Sequence, residues 1–146
     1  MYMPEINYFA VLVAGIVAMI IGALWYGPLF GKLWVQGMDW DPNDKAHMDK
    51  MKSAAGPAYF QMFIGALLMA FVFAHVLWAF NTALTEKMST VSAGLQGGFY
   101  MWLGFILPVK YGDKIWNNKA FKYVAVDLGY WLVLLLVNGI IISSWK

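Results

Sequence analysis

The apolar residues of this chain gather into four long stretches, residues 6–26, 58–80, 91–109 and 123–142, separated by short polar segments. A helix rising about 1.5 Å per residue crosses a hydrocarbon layer of roughly 30 Å in about 20 residues, and it satisfies its own backbone hydrogen bonds on the way. Each stretch has that length. The pattern predicts an all-α integral membrane protein of one domain over residues 1–146, with four transmembrane helices in two hairpins. The longest gap, 27–57, leaves no room for a soluble domain. Within it, Asp41-Pro42 reads as a capping acid before a proline at the first helical position, which predicts a short amphipathic surface helix over 43–52 with Met48 and Met51 toward the membrane.

Composition agrees with the pattern. Hydrophobic residues make up 62% of the chain and charged residues 12%, at a mean hydropathy of +0.62, against about 45–50% and about 25% in soluble domains. There is no cysteine, which excludes disulfides and thiol chemistry. The basic residues are all lysines, and their placement sets the topology. Lys32, Lys45, Lys50 and Lys52 lie between the first and second stretches, and Lys110, Lys114, Lys119 and Lys122 between the third and fourth. Only Lys87 and Lys146 fall elsewhere. By the positive-inside rule both lysine-rich loops are cytoplasmic, and the N-terminus, the 83–90 loop and the C-terminus are outside. Met1 to Glu5 carry no basic residue, so the first stretch reads as a retained span rather than a cleaved signal. Trp25, Tyr26, Trp34, Tyr59, Tyr111, Trp116 and Tyr123 then form an inner aromatic belt, and Tyr8, Trp78 and Trp145 an outer one.

Small residues predict how the helices meet. Ala10, Ala14, Ala18 and Gly22 recur every fourth position on the first span, and Gly94 and Gly98 make a GxxxG on the third, both patterns along which another backbone approaches closely. On the second span Gln61, Leu68, Val72 and His75 share one face opposite Ala66, Ala70 and Ala74, and the polar face is expected to look inward. Asp127, Trp131, Leu134 and Asn138 share a face of the fourth. Sorted by depth, His75, Gln96, Asn138 and Asn7 form an outer polar layer, either a pocket or hydrogen bonding between helices. Asp127 and Gln61 lie in the inner third, about 15 Å from that layer. Asp127 is the one acid inside a span, a candidate for proton or cation handling or an interfacial group bonded to Tyr123. Asp39, Asp41 and Asn43 imitate the start of a calcium loop, but Asp44 and Lys50 stand where glycine and glutamate belong. No metal, cofactor, nucleic-acid or catalytic constellation is visible, so an enzyme is not expected.

Gly22, Lys32 and Trp34 recur 82 residues later as Gly104, Lys114 and Trp116, which suggests two hairpins related as a parallel repeat or two exits with the same anchors. The run from Asn7-Tyr8 to Leu24-Trp25-Tyr26-Gly27-Pro28-Leu29-Phe30-Gly31-Lys32, with Gly104-Phe105-Ile106-Leu107-Pro108, Gly129-Tyr130 and Trp145, resembles an uncharacterised bacterial integral-membrane family, domain of unknown function 1761. That resemblance implies four helices and a bacterial inner membrane, and it transfers no activity to any residue.

Two functions fit these residues. One is a small oligomer whose outer polar layer lines a cavity or conduit for a small polar solute. The other is an accessory or scaffold subunit whose small-residue stripes bind helices of a larger membrane complex, with its lysines on anionic lipid. The lysine topology is tested by a membrane-impermeant amine reagent applied to right-side-out vesicles. Lys87 is expected to react and Lys114 to be spared, and labelling of both from one face would refute the assignment.

Overall fold

The computed structural model describes residues 4–41, 43–83 and 90–145. Every regular element among the described residues is helical: α1 (Tyr8–Leu24), α2 (Gly31–Gly37), α3 (Lys45–Ala83), α4 (Thr90–Met101), α5 (Leu107–Trp116) and α6 (Phe121–Ser144). Three helical runs are long and apolar enough to cross a membrane, Tyr8–Leu29, Lys45–Ala83 and Phe121–Ser144. The stretch expected as a span over 91–109 is helical too, but it is divided between α4 and α5. Most of the outer loop at 83–90 falls outside the described residues, as do Pro42, Lys87 and Lys146.

Asn7 starts α1. Its Oδ1 accepts from the amides of Phe9 (3.0 Å) and Ala10 (3.1 Å), two of the donors a helix start leaves unpaired. The helix then opens into a wide turn, Trp25–Leu29, because Pro28 has no N–H to give and Gly27 leaves the helical region at φ −99°, ψ −106°. The Trp25 carbonyl is taken instead by the amide of Phe30, five residues on, at 2.8 Å. The same device recurs between α4 and α5. There the wide turn Trp102–Ile106 has the Trp102 carbonyl taken by the amide of Leu107, just before Pro108. Trp25, Gly27 and Phe30 thus correspond to Trp102, Gly104 and Leu107 at a spacing of 77, while Lys32 and Trp34 correspond to Lys114 and Trp116 at 82. Each short helix is followed by a residue in the left-handed region, Asp39 at φ 56° and Asn118 at φ 51°, types that tolerate it.

The expected separate surface helix over 43–52 does not form. Asp44 rather than Asp41 provides the start, its Oδ1 accepting from His47 N at 3.0 Å, and α3 runs unbroken through Pro57 for 39 residues, about 58 Å. One proline removes a single backbone hydrogen bond. The many bonds on either side hold the helix through it.

Helix α6 packs against each of the other five helices. Its crossing with α4 is built on glycine. A Cβ at Gly98 would lie 2.5 Å from the Leu135 carbonyl oxygen, and one at Gly94 would collide with the backbone of Gly139. Ala10, Ala14 and Ala18 are buried, Ala14 and Val11 against Ala70 and Ala74 of α3, and Gly22 faces Tyr130. Both small-residue patterns are therefore consumed inside the chain. The faces of α3 are the reverse of the expectation: Ala70, Phe73 and Ala74 point in, while Gln61, Leu68 and Val72 are exposed. Residue size decides this, since close approach of two backbones needs small side chains whatever the polarity of the opposite face. On α6 the expected face holds, with Asp127, Leu134 and Asn138 buried and Trp131 half-buried.

Replacing Gly98 by Leu forces a side chain into backbone and is expected to destabilise the protein by about 2 kcal/mol or more. Gly56→Ala, which meets nothing within 4 Å, is the control expected to leave the detergent melting temperature unchanged or slightly higher.

Candidate functional site

Among the described residues, the buried charge sits on one turn of α6. Asp127 lies in the second turn of that helix with its side chain 8% exposed, a position in which an unanswered carboxylate costs several kcal/mol. Two elements answer it. Tyr26, in the first wide turn, donates its hydroxyl to Oδ1. Lys110, on α5 just beyond the second wide turn, brings Nζ to 2.7 Å from Oδ2. That oxygen takes no aligned hydrogen bond, so its partner is the ammonium charge. The Lys110 side chain is 31% exposed and links the buried carboxylate to the surface.

The backbone on either side is held as well. The indole of Trp25 donates to the Val126 carbonyl at 2.9 Å and that of Trp102 to the Leu128 carbonyl at 2.8 Å. Each wide turn opens on the tryptophan that makes its bond. A wide turn holds one residue more than a regular helical turn, about 100° of extra rotation. Tyr130 packs its ring on Tyr26 with centroids 4.9 Å apart. Trp25 lies within 3.0 Å of where a Cβ would stand at Gly129. Nearby, α2 is seated on α6 by Gly37 against the Tyr123 ring, and Lys119 ties the two by donating to the Gly37 carbonyl at 3.3 Å and pairing with Asp39 at 3.6 Å.

Among the described residues, no hydrogen bond joins the members of the expected outer layer to one another. Asn7 caps α1. His75 places Nδ1 on the Phe71 carbonyl of its own helix at 2.8 Å. Gln96 is exposed and reaches Ser92 Oγ, 3.4 Å away on the same helix. Asn138 is 1% exposed, and neither of its amide atoms has a hydrogen-bond partner among the described residues. None of these bonds joins one of the four to another. For Asp127 the expected partner Tyr123 lies one turn back, but the hydroxyl that reaches the carboxylate is Tyr26, 101 residues away in sequence. Lys110, Trp25 and Trp102 were not singled out by sequence as its companions. The recurring Trp-x-Gly of Trp25-Tyr26-Gly27 and Trp102-Leu103-Gly104 was the available signal.

The chain is thus an all-helical protein with three helices long and apolar enough to span a membrane and a buried ion pair where two wide turns converge on a third helix. It belongs to the family described as Protein of unknown function (DUF1761), whose model matches residues 9–143. No curated protein and no solved structure matches it.

Removing one member of the pair leaves the other charge uncompensated. Asp127→Asn and Lys110→Met are each expected to lower the melting temperature, and the double variant by less than the sum, with a coupling of about 1–3 kcal/mol. Additive losses would mean the two groups do not act on each other.

Proposed function

We propose that this protein is a four-span membrane protein of the bacterial inner membrane, with both ends outside, that passes a small polar solute and works as an oligomer. The fourth crossing in this reading is the helical run from α4 through α5. The observation that carries the proposal is the Asp127–Lys110–Tyr26 cluster. An ion pair within a span is costly to keep and is, by default, part of a substrate or ion path. Two features support that role here. The helices that deliver Tyr26 and Lys110 are both interrupted, and interrupted helices near internal repeats are where transporters place their binding stations. Lys110 also gives the carboxylate contact with the lysine-rich side. The station holds one carboxylate and one ammonium, so a cation or a proton is the species able to exchange there.

Among the described residues, the face of α6 between Asp127 and Asn138 is covered by Tyr130 and Leu134, both buried. The rest of the path therefore runs between copies, where the outward side chains of His75 and Gln96 lie. The accessory-subunit reading is weaker in the form that used the small-residue stripes as binding surfaces, since those stripes are spent within the chain.

The test is solute flux into liposomes holding the purified protein, read with a panel of fluorescent reporters for protons, alkali cations and small amines. Asp127→Asn is expected to abolish the flux while the protein stays folded, and His75→Ala and Gln96→Ala to change its rate several-fold. Flux that survives Asp127→Asn, or no flux from the parent protein with any reporter, would refute the reading.

A further inference from the structure

We propose that the Asp127 carboxylate is a binding site for organic ammonium ions, primary amines carrying a hydrocarbon body, which enter by displacing the ammonium of Lys110. This rests on the reading of the cluster as a station on a solute path, and it names the class of solute. The chain itself supplies the first example of the ligand. The Lys110 side chain is an alkylammonium on a flexible carbon stem, and its Nζ stands 2.7 Å from Oδ2.

The contact is built for exchange. Tyr26 approaches the other oxygen, Oδ1, so among the described residues Oδ2 has only the ammonium as its partner. The lysine side chain is 31% exposed and the aspartate side chain 8%. The cation therefore has water within reach while the anion does not, and its stem can carry the charged head outward. A carboxylate left alone in this place is costly. Replacing one ammonium by another restores the pair, and the displaced lysine takes its charge to the solvent.

The surroundings select an organic cation over an inorganic one. Calcium and magnesium take about six or more oxygen ligands, and potassium filters use rings of backbone carbonyls. The oxygens brought together here are the two of the carboxylate and the Tyr26 hydroxyl. The carbonyls of Val126 and Leu128, on either side of Asp127, are already engaged by the indoles of Trp25 and Trp102. Among the described residues, no group of three or more histidines or acids forms. What the site has instead is rings. Tyr26 lies against Tyr130 with centroids 4.9 Å apart and edge-on to Trp34 at 5.5 Å, and Tyr130 meets Trp131 at 5.1 Å. Aromatic rings beside an acid suit a ligand that joins a positive head to a hydrocarbon body.

The test is equilibrium binding of tritiated phenethylamine, protonated at neutral pH, to the full chain in lipid nanodiscs, with protein-free nanodiscs as background. Saturable binding is expected, displaced by hexylamine but not by 2-phenylethanol, which has the same ring and no charge, nor by sodium or potassium at constant ionic strength. Lys110→Met is expected to bind about tenfold more tightly, because the internal competitor is gone. Asp127→Asn is expected to lose saturable binding. Lys110→Met keeps the carboxylate and decides the matter by itself if Asp127→Asn does not fold. Equal or weaker binding by Lys110→Met, or displacement by 2-phenylethanol or the alkali salts, would overturn the amine site. So would the absence of saturable binding in both the parent and Lys110→Met. Proton or alkali-cation flux in liposomes that depends on Asp127 would then leave the transport reading standing. Saturable amine binding with no flux of any solute would uphold the site and overturn that reading.

Discussion

A carboxylate held away from water must be answered, and in this chain the answer to Asp127 organises the fold. Its two oxygens are met by groups from different halves of the sequence, Tyr26 from the first and Lys110 from the second. The carbonyls of the residues on either side are met by Trp25 and Trp102 in the same division. One turn of α6 therefore receives four polar contacts, two from the first wide turn, one from the second and one from α5 just beyond it. That turn is fixed in rotation and in height at once. A helix packed by apolar contact alone can slide or roll at little cost, because one methyl resembles another; hydrogen bonds and an ion pair have direction and do not.

Above this turn the packing has a different basis. The α4–α6 crossing is glycine on backbone, and α1 meets α3 through alanines. The gain there is close van der Waals contact, which depends on small residues being opposite one another. The two kinds of contact divide the labour: small residues set how near the helices come, and the cluster at Asp127 sets which way they face. Asn138, buried near the far end of the same face with both amide atoms unpartnered among the described residues, is a polar group that the packing of this chain does not explain.

The wide turns join these levels. The first arises locally, from Pro28, which withholds an N–H, and from Gly27, which leaves the helical region; the second stands just before Pro108. Each delivers a tryptophan to α6 and redirects the chain into a short helix, α2 or α5. The two halves share this order of parts, helix, Trp-opened turn, short helix and a left-handed Asx residue. They share it at two spacings, because Lys32 and Trp34 lie in the first turn of α2 whereas Lys114 and Trp116 lie in the last turn of the longer α5.

Sequence by itself determined what depends on local pattern. The lengths of the apolar stretches, the small-residue stripes, the buried face of α6 and the presence of one acid, Asp127, within a span could all be read from spacing and chemistry within one segment. Continuity through Pro57 could not, since whether a proline ends a helix depends on the bonds around it. Nor could the orientation of α3, where polarity argued for one face and the size of the alanines placed the other inside. The partners of Asp127 were also hidden, for Tyr26 reaches it from within the first wide turn and Lys110 from just beyond the second. Those choices belong to the tertiary structure, because they are made by groups that are far apart in the chain and become neighbours only when the helices have packed.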